Sequence, residues 1–270
     1  MSTVDYEVQD AVATITLKRP EAMNTMSPDL LTGVLDALEA AASDEAVRAV
    51  ILTGSGRAFC AGGDLQGMAA AGRGGGASRP SGPIPVHRSI ADLRSRMRSS
   101  QLLRDMPKVT FAAINGACAG AGLAWACACD IRYAADTAVF NTAFMTAGLS
   151  GDFGGTWTLS RIVGPAKARE LYLLAERFRA EEAERIGLVS AVMPGDQLMD
   201  FVRDKAKRVA GFAPLTCAAI KANMNDAMRL DFPGMLDVEA ERHTRIGRTE
   251  DAREAARAFL EKRPAVFHSR

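Results

Sequence analysis

An excess of either charge is missing from this sequence: 33 basic residues stand against 32 acidic ones, a formal net charge of +1. Nothing in that balance supports nucleic acid or an anionic membrane as a partner. Histidine is scarce, and His87, His243 and His268 are widely scattered. Cys127 and Cys129 stand two positions apart, so no zinc-ligand spacing forms. The five cysteines, Cys60, Cys118, Cys127, Cys129 and Cys217, are odd in number. Four of them lie among apolar or Gly/Ala neighbours, which reads as buried thiols in a reducing compartment rather than a disulfide framework. The opening MSTVDYEVQD is polar and acidic and carries no signal or transit peptide. The apolar stretch from Phe111 to Cys129 is long enough to span a bilayer, but Asn115, Gly116, Gly120 and Gly122 interrupt it. A buried strand, a glycine turn and a buried helix explain it better. These absences lead us to expect a cytoplasmic protein with no metal.

What is present is ordinary for a globular enzyme: 270 residues, 48% hydrophobic and 24% charged, enough for a sizeable core. The segment AVATITLKRP alternates like a strand and stops at Pro20. Ser27 is a good N-cap with Pro28 at the first helical position, and Leu30, Leu31, Val34, Leu35 and Leu38 form one apolar face. AVILT, Ala49 to Thr53, is a second strand, so strand–helix–strand predicts parallel pairing through a crossover. Residues 69–85 are rich in Gly, Pro and Ser and read as a flexible loop. Beyond it we predict a helix from His87 to Leu103, a strand over Val109–Ile114, a helix from Gly122 to Cys129, and short strands near 131–134 and 138–140. AEEAERIGLVSAV gives a helix ended by Gly187 and one last short strand. Helices are then predicted over 196–212, 214–230 and 233–262. The chain thus divides into a β/α core, residues 1–195, and a helical part, residues 196–270. Leu198, Phe201, Val202 and Val209 supply apolar faces that point to self-association.

Two stretches carry chemistry. GRAFCAGGDL, Gly56 to Leu65, follows a strand, and Asp64 can cap a following helix. INGACAGAGLAWACACDI, Ile114 to Ile131, passes from a strand to a helix whose free N–H groups form an anion or oxyanion site. Each alone is also explained by a glycine turn or by tight Gly/Ala packing. Together with RPEAMNTM, AGLSGDFGGTWTLSRIVG, AEEAERIGLVSAVMP and FLEKRPAVF, they come in an order and spacing that resembles the enoyl-CoA hydratase/isomerase (crotonase) family over about residues 5–267.

That resemblance implies an α/β fold, a spiral of ββα repeats with a helical C-terminal trimerisation region. It implies an acyl-CoA thioester as substrate, coenzyme A entering only as part of that substrate, and a homotrimer or dimer of trimers. The oxyanion hole falls on the backbone N–H groups of Gly63 and Ala121, and acyl-CoA contacts fall on Ala61, Gly62, Asp64, Leu65, Phe144 and Lys262. Lys262 and Arg263 stand where the family approaches the nucleotide; a solvated helix face is the other reading. The loop at 70–85 is expected to be mobile and to gate the acyl pocket, which His87 and Asp92 either line or leave for the surface. The sequence departs from the family's hydratases at their two glutamates, which are here Ala124 and Phe144. Neither moves a proton, and adding water requires both a base and an acid. One carboxylate remains in the matched motifs, Asp152, either a catalytic acid/base for double-bond isomerisation or a cap on the turn near Gly155. Thioester or β-diketone hydrolysis, hydration without the glutamates, and non-catalytic acyl-CoA binding are the alternatives.

Overall fold

The computed structural model describes residues 2–64 and 85–270. Leu65 and the glycine-rich loop expected to gate the pocket lie outside the described residues. The chain opens with β1 (Val4–Gln9) and β2 (Val12–Leu17), an antiparallel pair. Helix α1 (Pro28–Ser43) crosses to β3 (Ala49–Gly54), which pairs parallel with β2 as the strand–helix–strand pattern predicts. The Ser27 hydroxyl accepts from Leu30 N–H at 3.3 Å and so caps α1.

From β3 onward each turn of chain gives one strand to each of two sheets. β3, β5 (Val109–Ile114) and β7 (Ile131–Ala135) lie in a six-stranded sheet of order β1-β2-β3-β5-β7-β10, where β10 is Val192–Met193. β4 (Ala58–Cys60), β6 (Ala117–Ala119) and β8 (Val139–Asn141) lie in a four-stranded sheet closed by β9 (Phe178–Arg179). Between these turns run α2 (Val86–Arg96), α3 (Arg98–Asp105) and α4 (Ala121–Ala128). This is the expected ββα spiral. The one helix predicted over 87–103 is two, bent at Met97. Asp130 is structural, as its place after a helix implies: it accepts from Thr110 N–H and pairs with Lys221 at 2.7 Å.

After β8 come α5 (Phe144–Ala147), α6 (Gly155–Ile162), α7 (Pro165–Leu174) and α8 (Ala180–Arg185). The C-terminal helices are α9 (Leu198–Ala210), α10 (Pro214–Asp226), α11 (Phe232–Ile246) and α12 (Glu250–Glu261). The helix predicted over 233–262 breaks after Gly247, where Thr249 caps a new start by accepting from Ala252 N–H. Every residue of AVILT is buried because both faces of the large sheet are covered. Val50 and Leu52 join the main core, whereas Ala49 and Ile51 meet α9 through Leu198, Val202 and Ala206. The apolar residues chosen as an association face, Leu198, Phe201, Val202 and Val209, therefore pack on the chain's own sheet. Burying Leu198 and Val202 there is worth about 1.5–3 kcal/mol each. Exposed large apolar side chains farther along the chain include Met224, Phe232, Phe259 and Leu260.

Candidate active site

The first donor segment is the turn after β4, and a second segment of chain fixes it from behind. Met26 N–H donates to the Gly62 carbonyl at 2.8 Å, Ala61 N–H donates to the Met23 carbonyl at 3.0 Å, and Met26 bridges to Gly63 as in a parallel ladder. Asn24 ties this support together from a fully buried position. Its Oδ1 accepts from Arg19 N–H at 2.8 Å, and its Nδ2 donates to the Ser55 and Ala58 carbonyls at 3.0 and 2.8 Å. Asp64 pairs with Arg19 at 3.5 Å. Asn24 carries no role in the sequence reading, although an asparagine in RPEAMNTM, where no cap is needed, is a signal for such a hub.

Gly62 sits at φ +93°, and a Cβ there would lie 2.9 Å from the Ala119 carbonyl and 3.5 Å from the Ala121 nitrogen. Only glycine allows the first turn to approach the start of α4 this closely. Ala121 is the first residue of α4 and follows Gly120, so no side chain caps its N–H. Gly122 is packed so tightly that a Cβ would fall 2.3 Å from the Cys60 carbonyl. Among the described residues no hydrogen bond reaches the N–H of Gly63 or of Ala121. Among the described residues nothing lies within 4 Å of where a Gly63 Cβ would stand. Two unspent donors therefore lie on neighbouring segments, one of them at a helix N-terminus where the dipole favours negative charge.

Asp152 lies in the turn between α5 and α6. It does not cap that turn through its side chain: α6 has no side-chain cap, and Gly155 N–H donates instead to the Asp152 backbone carbonyl at 3.1 Å. The Oδ1 of Asp152 is buried and, among the described residues, has no hydrogen-bond partner. Burial pushes its carboxyl from the ordinary 3.8 up to about 6. Phe144, the first residue of α5, is buried and stacks on Tyr172 of α7 with ring centres 6.1 Å apart. A Cβ on Gly155 would touch Ala124 Cβ at 3.1 Å and the Tyr172 hydroxyl at 2.6 Å. Ala124, Phe144, Asp152 and Tyr172 thus surround one spot beside α4. Tyr172 was not singled out in the sequence; its signal is one phenol in the aliphatic run ELYLLA, in a chain with three tyrosines.

The remaining sequence candidates lie apart from this spot. Lys262 ends α12 in the left-handed region at φ 53° and is exposed. The Arg263 guanidinium is taken by Glu254 and Glu261. His87 and Asp92 are exposed on α2, in accord with the surface reading. The thiols of Cys60, Cys118, Cys127 and Cys129 are buried and free, as expected. Among the described residues no helix is long and apolar enough to cross a membrane. A cavity of about 840 Å³ opens at the far end of α4, with Ala128, Phe153 and Trp157 in its wall. The wall of that cavity includes neither donor segment.

Comparison with known proteins identifies the family and the fold. The sequence profile of the family described as enoyl-CoA hydratase/isomerase matches residues 7–270. A probable enoyl-CoA hydratase of Rhodobacter capsulatus is 37% identical, over 99% of this chain and 98% of the relative. A 1,2-epoxyphenylacetyl-CoA isomerase of Escherichia coli is 35% identical, over 99% and 98%. The crystal structure of a putative enoyl-CoA hydratase from Streptomyces coelicolor superposes with a TM-score of 0.90 at 32% identity, covering 99% of this chain and 94% of that one. On the profile match, the relatives and the shared architecture, this chain belongs to the enoyl-CoA hydratase/isomerase family.

Proposed function

We propose that the protein isomerises the double bond of an enoyl-CoA thioester, with Asp152 moving the proton and the N–H groups of Gly63 and Ala121 holding the thioester oxygen. The observation that carries this reading is the buried Oδ1 of Asp152, without a hydrogen-bond partner among the described residues, in the turn before α6, whose Gly155 packs on Ala124, three residues beyond Ala121 on α4. Asp152 as carboxylate takes a proton from the α-carbon. The C–H electrons flow towards the thioester oxygen, which becomes an enolate oxygen between the two donors. Each such donor is worth about 3–4 kcal/mol to the transition state. Asp152 then returns the proton at the γ-carbon, and the double bond comes into conjugation. A carboxyl near 6 is suited to both steps at neutral pH, since it is ionised at rest yet basic enough to accept.

Ala61, Gly62, Asp64 and Phe144 would line the acyl group, and Lys262 would reach the nucleotide of coenzyme A. Assembly as a homotrimer, or a dimer of trimers, would cover Phe232 and Phe259, which are 76% and 83% exposed in the single chain. The test is Asp152→Asn, which keeps the shape and removes the proton transfer. Isomerisation of a 3-enoyl-CoA should fall by about 10²–10⁴-fold with little change in coenzyme A ester affinity. Full turnover in that variant would refute the single-carboxylate mechanism.

A further inference from the structure

The 840 Å³ cavity at the far end of α4 takes no part in the proposed chemistry, and its wall is short of negative charge. Met97, Met106, Ala128, Phe153, Trp157 and Ile246 give it apolar surface. All but one of its cationic side chains have partners. Lys221 pairs with Asp130, Arg229 and Arg242 both pair with Asp226, Arg245 pairs with Glu241, and Arg94 donates to Gln101 at 3.3 Å. The exception is Arg104, in the last turn of α3. Among the described residues no carboxylate pairs with its guanidinium and no acceptor takes its N–H groups, although Asp105 is the next residue. Asn225 Nδ2 donates to the Arg104 carbonyl at 3.1 Å and so holds this end of α3 against α10.

The Arg104 guanidinium carbon lies 4.3 Å from the centre of the Trp157 ring, and that of Arg161 lies 3.9 Å from it. A guanidinium stacked by its face keeps its N–H edge free, and that fork matches a carboxylate in two parallel hydrogen bonds. Burial lowers the Arg104 pKa below its usual 12.5; Asp105 and Asp130 offset this only in part, while Arg161 and Arg229 add to it. An anion beside Arg104 reverses that penalty. Ser100, also in the wall, has a buried hydroxyl with no partner among the described residues. Arg104 and Ser100 are thus donors without an acceptor in the wall of one cavity.

We propose that this cavity binds a carboxylate carried on an apolar chain, with Arg104 taking the carboxylate and Met97, Met106 and Phe153 taking the chain. A phosphate dianion fits less well, because every other cation of the wall is already engaged. Two sources supply this chemistry: a free alkyl carboxylic acid, or the far end of an acyl group that itself ends in a carboxylate. The second source has a path along α4. Ala121, Ala124 and Ala128 share one face of that helix, and about 10 Å separates the first from the last. Asp152 sits midway, since Gly155 of its turn packs on Ala124, and Phe153 and Gly154 continue into the cavity wall. That second source rests on the donor reading given above; the first does not.

The test is calorimetric titration of wild type, Arg104→Met and Arg229→Met, with Tm confirming that each variant folds. Arg104→Gln serves as a second neutral variant should Arg104→Met be unstable. One arm compares decanoate with decanol. The other compares two saturated acyl-CoA esters of equal length, one ending in a carboxylate and one in a methyl group. Wild type should prefer the carboxylate in at least one arm, and losing Arg104 should cut that preference by roughly 10- to 100-fold. Arg229→Met should keep it, because that guanidinium already serves Asp226. A preference between the esters assigns the anion to the acyl chain; a preference for decanoate alone assigns it to a free acid. No carboxylate preference in either arm, or one that survives the loss of Arg104, overturns the proposal. If neither ester binds, the donor reading falls, and decanoate alone decides the cavity.

Discussion

Gly122→Ala isolates the geometry of the donor pair from every side chain in the site. The added Cβ would stand 2.3 Å from the Cys60 carbonyl oxygen and 2.7 Å from Cys60 Cβ, where ordinary contact begins at 3.4 Å. Cys60 has little room to yield, because its strand pairs with β6 through Cys118. The first turn of α4 must then retreat by about 1 Å, and Ala121 N–H retreats with it. A misplacement of that size costs on the order of 10²-fold in rate, and complete loss of one oxyanion donor costs about 10²–10³-fold. We expect kcat for isomerisation to fall about 100-fold with KM little changed, measured by steady-state kinetics on a 3-enoyl-CoA. Overpacking should also cost about 1–3 kcal/mol of stability, seen as a lower Tm, so rates are to be read well below that temperature. A variant that folds and turns over at the wild-type rate would refute the assignment of the Ala121 N–H as a donor.

Three further outcomes follow from groups already described. The fold raises the Asp152 carboxyl from 3.8 to about 6, so it favours the protonated form; that stability is fully present below about pH 4 and is lost as pH rises through 6. Asp152→Asn should therefore gain about 1–2 kcal/mol over wild type at pH 8, and nothing at pH 4, by urea unfolding; an equal difference at both values would contradict the burial argument. Lys221 is buried, pairs with Asp130 at 2.7 Å and donates to the Leu103 and Lys108 carbonyls at 3.1 and 2.8 Å. Lys221→Met strands the Asp130 charge and should cost about 3–5 kcal/mol, whereas a loss below 1 kcal/mol, roughly the value of an exposed pair, would show that water compensates. Phe232→Glu with Met224→Glu should shift sedimentation from an oligomer to a smaller species, and an unchanged mass would exclude this face from the interface.

Much of the fold was legible because its signals are local. The Ser27-Pro28 start, the AVILT run and the glycines of the 114–131 stretch each state their own backbone geometry. β1 was not legible: after Val4 its residues are exposed, so the alternation that marks a half-buried strand is missing. The breaks at Met97 and after Gly247 were missed because the apolar period continues across them. Leu198 and Val202 were misassigned to an interface because an amphipathic face does not say whether its cover is the same chain or another. In the site, Gly63, Ala121 and Asp152 could be placed by motif. Asn24 and Tyr172 could not, since their meaning depends on segments more than thirty residues away or on another helix meeting the same turn. The reading of Asp152 as a turn cap failed for a simple reason: the backbone carbonyl already accepts the bond that the side chain would have taken.

The pairing of Cys60 with Cys118, and the bridge from Met26 to Gly63, have a consequence for how this site tolerates change. The proposed donors at Gly63 and Ala121 are main-chain groups, so of the substitutions at those positions only proline, which has no N–H, removes one outright. The side chains beside them are Ala124 on α4, Asp152 in the turn before α6 and Tyr172 on α7, and of these only Asp152 is proposed to carry a proton. On the proposed mechanism, replacing Asp152 alters proton transfer and leaves the backbone donors to the thioester oxygen in place. The proposed mechanism thus separates activation of the substrate from choice of reaction, and a library randomised only at positions 124, 152 and 172 would sample different chemistries on one unchanged anchor.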